Sequence, residues 1–153
     1  MSYIKSSLGS NEQIRYLFQL NKYTLMTPLL IIGFAIAILG FGIFFGGGIP
    51  WEVYIGVSSI IFLSGLIMYF RLKSIEYGVT DNRVIAKTGI IARNTEEILN
   101  KAVETIEVKQ DIMGRIFGYG DVIVTGRGNA IVQFSGIDEP LKVKREIEEC
   151  VYD

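Results

Sequence analysis

The order of apolar and polar positions divides the chain into three parts. Residues 1–22 are polar, with a patterned tail in which Ile14, Tyr16, Phe18 and Leu20 alternate with Arg15, Leu17, Gln19 and Asn21. Most of that tail has period two, the signature of a half-buried strand, while a helix extending the next segment is the competing reading. From Tyr23 to Phe45 there are 23 residues without a charge, and Val53 to Phe70 adds 18 more. At 1.5 Å per residue these runs reach roughly 34 and 27 Å, close to the ~30 Å hydrocarbon core of a bilayer. The pattern predicts two spans, about 23–45 and 51–70, within a hairpin over 23–70. A pair of buried core helices is the alternative, but such helices seldom run so long without a charge.

The link between the runs, Gly46-Gly47-Gly48-Ile49-Pro50-Trp51-Glu52, favours a tight reversal. Trp51 and Tyr54 suit the interfacial aromatic belt. Small residues let helix backbones approach closely in lipid, and Gly33, Ala37 and Gly40 share one face of the first run. Ser58 and Gly65 share one face of the second. These positions serve either the hairpin or contacts between copies of the protein. Lys5, Arg15, Lys22, Arg71 and Lys73 flank the runs and the turn carries neither Lys nor Arg, which places both termini in the cytoplasm by the positive-inside rule.

From Arg71 to Asp153 short strands take over. Strands are predicted at 75–80, 84–87, 90–98, 103–109, 121–125 and 130–134, with one or two helical turns at 111–117. Asp111 is a candidate N-cap for that short helix. Gly126-Arg127-Gly128-Asn129 reads as a hairpin loop. Asp138-Glu139-Pro140 opens a closing helix whose apolar stripe is Val143, Ile147, Cys150 and Val151. The class is α+β: a membrane hairpin, then an antiparallel sheet capped by one amphipathic helix.

Composition narrows the chemistry. The 153 residues contain no histidine and one cysteine, Cys150. A Cys/His metal cluster, an intramolecular disulfide and Ser-His or Cys-His nucleophile pairs are therefore excluded. Adjacent acids such as Glu96-Glu97 point to opposite faces of a strand. No catalytic residue, metal ligand or cofactor is expected, and neither a nucleic acid nor a small-molecule substrate is indicated. Residues 71–153 carry 12 Lys/Arg and 14 Asp/Glu, a net charge of −2, whereas binders of anionic lipid usually show a basic cluster.

Gly118-Tyr119-Gly120 superficially suggests a potassium filter, but such a loop lies between two spans. Here it follows the second span by about fifty residues. Gly114, Gly118 and Gly120 instead fit a turn where a short helix meets a strand, through positive φ or close backbone approach. Ile116, Phe117 and Tyr119 are expected to anchor that turn on the core. Arg115 has either a structural hydrogen-bonding role or an exposed anion contact.

Several motifs recur in order. Val79-Thr80-Asp81-Asn82-Arg83-Val84 has the form hTDxRh, where h is apolar. Lys87-Thr88-Gly89 with Arg93, Thr95 and Glu96 fits xxGhhxRxxxEI, Val103 to Gln110 fits IExVxVxQ, and Gly114 to Gly120 fits GRhhGYG. Leu8 to Phe18 loosely matches the segment before a first span. In these the chain resembles the bacterial PH-like membrane proteins, the YdbS-like family or bacterial PH domain of the second type. The resemblance implies a PH-like split barrel with a C-terminal helix, tethered under the cell membrane. It makes Thr80, Asp81, Arg83, Gly114, Arg115, Gly118, Tyr119 and Gly120 family-motif residues with a structural role, and it implies no defined activity. The expected function is that of a membrane-anchored adaptor or scaffold whose partners are the bilayer and another membrane protein or further copies of itself. The alternative is a binder of lipid head groups.

Overall fold

The computed structural model describes residues 4, 7–9, 12–45, 48–89 and 94–152. Its residues fall into two units, Met1–Asn21 with Ser74–Asp153, and Lys22–Lys73. The N-terminal segment and the chain after the helices, which the pattern treats as separate stretches, are thus one body.

Two helices make up the second unit: α1 (Met26–Phe45) and α2 (Trp51–Lys73). Each is long and apolar enough to cross a membrane. Most of their large apolar side chains, among them Phe34, Ile43, Phe44 and Ile60, are left uncovered by the protein. A soluble core helix would bury them. The helices run antiparallel, since Gly65 lies beside Pro28 and Gly42 beside Tyr54. Contact is made through Pro28, Ala35 and Gly42 on α1 and through Ser58 and Gly65 on α2, the buried positions of each helix. A Cβ on Gly42 would lie 2.5 Å from the Tyr54 ring. Gly33, Ala37 and Gly40 do not take part in this contact. At 100° per residue they lie roughly opposite the Pro28–Ala35–Gly42 line. Space is open around Gly33 and Gly40, and Ala37 is exposed. Seven-residue spacing is what faces α2, so of the two roles open to the 33/37/40 face the hairpin contact is not the one it takes.

The other unit holds seven strands among the described residues. Strands β1 (Ile14–Phe18), β2 (Glu76–Thr80), β3 (Arg83–Thr88) and β4 (Asn94–Leu99) form one antiparallel sheet in that order. Strands β5 (Val103–Lys109), β6 (Tyr119–Gly126) and β7 (Ala130–Asp138) form a second. Two sheets, not a closed barrel, carry the fold. The alternation is a strand over Ile14–Phe18: β1 pairs with β2, with Phe18 opposite Tyr77 and Leu17 opposite Gly78. Residues 90–93, the start of the expected third strand of the C-terminal part, lie outside the described residues.

Just past β1 the chain changes sheets. Leu20 bridges Ile137 of β7, Asn21 N–H donates to Gly136 O at 2.9 Å, and Asp138 N–H donates to Gln19 O at 3.3 Å. The N-terminal segment therefore joins both sheets immediately before the helices begin.

The core lies between the sheets and under helix α4 (Pro140–Tyr152). Val79, Val84, Val122, Val124 and Phe134 are fully buried there. Phe134 meets the rings of Tyr77 and Phe18 at centroid distances of 4.7 and 5.8 Å. From α4, Val143 and Ile147 are buried in the core, and Cys150 and Val151 pack against it. The buried face of α4 is thus the stripe predicted from spacing.

Candidate functional site

The Thr80–Arg83 motif is the tight connection between β2 and β3. Thr80 Oγ1 accepts from the backbone N–H of Asn82 (3.3 Å) and Arg83 (3.0 Å), so the side chain closes the turn. The same hydroxyl donates to Glu12 Oε1 at 2.6 Å. Arg83 forms a bidentate pair with Glu12, Nε to Oε1 at 2.9 Å and Nη2 to Oε2 at 2.8 Å. Its Nη1 donates to Glu97 Oε2 on β4 at 2.6 Å, and Nη2 also reaches Ser7 O at 2.8 Å. One guanidinium thus ties together the N-terminal segment, the β2–β3 turn and β4. Such forks are the strong form of charge-assisted hydrogen bond.

Hydrogen bonding, against burial, sets the electrostatics. The Glu12 side chain is only 6% exposed. The Arg83 hydrogen bonds hold its carboxyl at about 2, against an ordinary 4.5, with Thr80 and Gly9 N–H helping and burial opposing. The Glu12 hydrogen bond in turn raises Arg83. This carboxylate stays ionised, and its oxygens are occupied by Arg83, Thr80 and Gly9. It is not a poised acid or base.

Asp81 faces outward and pairs with Arg15 of β1. With Tyr16, Glu149 and Cys150 these two line an open cleft of about 370 Å³. Tyr16 lies 3.4 Å from Glu149, whose charge pushes the phenol upward. Beneath the turn, Asn100 is 6% exposed, and its Nδ2 donates to Thr80 O, Asp81 O and Cys150 O at 3.1–3.2 Å. Asn100 therefore ties the turn to the end of α4.

The second motif surrounds the short helix α3 (Ile112–Phe117). Asp111 caps it by accepting from Gly114 N–H. Gly118 ends it in the left-handed region at φ 74°, where a side chain is strained. Gly114 and Gly120 have a different reason to be glycine. A Cβ on Gly114 would lie 2.5 Å from Tyr119 O, and one on Gly120 would lie 2.9 Å from Lys109 O and 3.0 Å from Pro140. Gln110 Nε2 clamps the turn by donating to Gly114 O (3.0 Å) and Tyr119 O (2.9 Å).

Phe117 and Tyr119 are half-buried, but Ile116 is exposed and does not anchor the turn. With Gly114 turned inward, Ile116 lands on the outer face. Arg115 is also exposed. A polar hollow of about 630 Å³ beside the turn is lined by Lys109, Gln110, Asp111, Tyr119, Gly120 and Asp121. Its carboxylates serve the backbone: Asp111 as the cap, and Asp121 Oδ1 by accepting from Gly136 N–H at 2.9 Å.

The two motifs therefore remain separate places. Thr80, Asp81 and Arg83 gather at one turn, and Gly114 to Gly120 at another. Glu12, Glu97 and Asn100 complete the first and Gln110 the second. No local pattern points to Glu12, which acts on a residue 71 positions away. Among the described residues, no group of three or more His, Cys, Asp or Glu is placed to hold a metal ion.

The helical pair, both motif turns and all but the last two residues of the closing helix fall within one match: the family model described as "Bacterial PH domain" covers residues 17–150. The chain belongs to the bacterial PH domain family. The match does not carry the YdbS-like name, and it begins after Glu12 and Arg15. No curated protein and no solved structure matches the chain.

Two outcomes follow from this geometry. A carboxyl held at about 2 instead of 4.5 corresponds to roughly 3 kcal/mol of stability. Because the folded value is the lower one, that stability is present above about pH 4.5 and is lost as pH falls toward 2. Glu12→Gln should lower the unfolding free energy at pH 7 by about 2–3 kcal/mol and flatten the loss between pH 4.5 and 2. Denaturant titrations of the full chain in detergent at several pH values measure both. Gly120→Val should destabilise by about 1–3 kcal/mol through overpacking against Lys109 O and Pro140; an unchanged melting temperature would refute the close-approach account.

Proposed function

We propose that this bacterial PH domain protein is a membrane-anchored, non-catalytic adaptor acting by protein–protein contact. The observation that carries this reading is the state of its polar groups. The ionic cluster Glu12–Arg83–Glu97 is spent on holding chain segments together. What the domain offers outward is surface, including the sheet-edge strand β4. An edge strand presents backbone donors and acceptors to a partner, and Glu96 and Glu97 limit indiscriminate pairing. The lengths and uncovered apolar surfaces of α1 and α2 support two spans. Basic residues outside the turn support cytoplasmic termini. Tethering confines the domain to a thin layer under the bilayer, so a weak interface is occupied at high effective concentration.

Self-association through the spans is part of the reading. Gly33, Ala37 and Gly40 lie away from α2, on a face suited to close approach by another helix. The mild acidity of residues 71–153 argues against anionic head groups as the main ligand.

Mass measurement of the full-length protein released in gentle detergent should find more than one copy, and Gly33→Leu with Gly40→Leu should reduce it to a monomer without unfolding. A strictly monomeric wild type that also binds anionic vesicles in a salt-sensitive way overturns the adaptor reading in favour of head-group binding. For orientation, Tyr152→Cys in a Cys150→Ser background should resist an impermeant thiol reagent in intact cells and react after lysis. Labelling from outside would invert the topology.

A further inference from the structure

Helix α3 is built inside out. Its buried residue is Gly114, while Ile112, Met113 and Ile116 are 78%, 52% and 68% exposed. At i, i+1 and i+4 the three share one face. A six-residue helix that hides its glycine and displays two isoleucines and a methionine departs from the usual arrangement of a surface helix. Nothing in the local backbone forces this. The Asp111 cap and the Gly114 approach to Tyr119 O set the helix rotation, and polar residues at 112, 113 and 116 would satisfy both.

The position of α3 indicates what covers it. Asn21, the last residue before the helical unit, donates from Nδ2 to Phe117 O, the last residue of α3, at 3.4 Å. The same residue is held to β7 through Gly136 O. From Asn21 to the first residue of α1, Met26, the chain can span at most about 18 Å. The apolar face of α3 is therefore anchored beside the point where the chain departs for the apolar helices.

We propose that Ile112, Met113 and Ile116 insert into the interfacial layer of the same bilayer that α1 and α2 cross, with Arg115 extending to the lipid phosphates. This rests on the anchored reading given above and adds a third, monotopic attachment. Short apolar anchors of this kind bury their side chains at the boundary between head groups and acyl chains, and the aliphatic stem of arginine suits that depth. Charge is not the driving force. Exposed Lys109 and Arg115 are balanced by Asp111 and by Glu139, the latter 3.5 Å from Lys142, while Asp138 accepts from Asn21. The attachment is therefore apolar and independent of anionic lipid. It fixes which side of the domain meets the membrane and leaves β4 and the Asp81 cleft to be approached from elsewhere.

The test uses the full-length chain with a single cysteine in a Cys150→Ser background, labelled with an environment-sensitive fluorophore and reconstituted in phosphatidylcholine vesicles. Ile116→Cys, with Met113→Cys as a second position, should show blue-shifted emission and quenching by shallow spin-labelled lipid. Ile131→Cys is the aqueous control. It is exposed at the other end of β7, roughly 20 Å from Ile137, and should be quenched by iodide instead. Phe34→Cys on α1 reports the anchor and should be quenched by deep spin-labelled lipid. Loss of quenching at position 34 would defeat the anchored reading itself. If position 34 is quenched while positions 116 and 113 behave like 131, the anchor stands and this inference fails. Shielding of 116 from both lipid and iodide would assign the face to a protein partner and overturn the inference, as would quenching that requires anionic lipid.

Discussion

The pairing of β1 with β2 is the constraint on which the rest of the architecture depends. Phe18 and Tyr77 are opposite one another although 58 residues separate them, and the apolar helices lie wholly within that interval. Closing so long a loop costs little more than closing a short one, and α1 and α2 run antiparallel, returning the chain to its starting end. The helical hairpin is an insertion in a β-hairpin. Segment 19–21 then pairs with β7, so the strand that precedes the helices also joins the two sheets. Placing β1 and β2 side by side also brings Glu12 and Arg83 within reach.

That geometry explains the uneven legibility of the sequence. The apolar helices are legible because length and freedom from charge, the two properties a membrane span requires, can be read residue by residue. The stripe of α4 was equally plain, because Val143 and Ile147 face a core on one side only. The β1 segment was ambiguous between strand and helix. Its period of two is short, and its partner lies beyond two helices. Glu12 gave no local signal at all, since its importance comes from a fold-level encounter.

Spacing leaves two questions that only packing answers. Gly33, Ala37 and Gly40 form a small-residue face open to either the hairpin or a second copy, and α2 packs on Pro28, Ala35 and Gly42. Spacing identifies a face but not its occupant, and α1 has two such faces. Ile116 was expected in the core because isoleucine usually is. The rotation of α3 is decided instead by Gly114, whose missing side chain admits Tyr119 O, and that choice turns Ile116 outward.

The ionic cluster and the helical insertion can be understood together. A strand separated from its sheet by a long insertion needs more than ladder hydrogen bonds to hold register, because β1 has only five residues and an irregularity between Ile14 and Tyr16. Glu12 supplies an anchor just before the strand, through the bidentate Arg83 pair, and Asn21 supplies one just after it, through Gly136, Phe117 and Asp138. Between these anchors a one-residue slip would face Phe18 away from Phe134. It follows that residues 74–153 alone do not contain the complete domain: cutting the chain after α2 removes an edge strand, the Glu12 partner of Arg83, and the bridge between the sheets. In this chain the two-sheet unit and the apolar hairpin are linked by topology: the strand that completes the first sheet is separated from its partner by the whole hairpin.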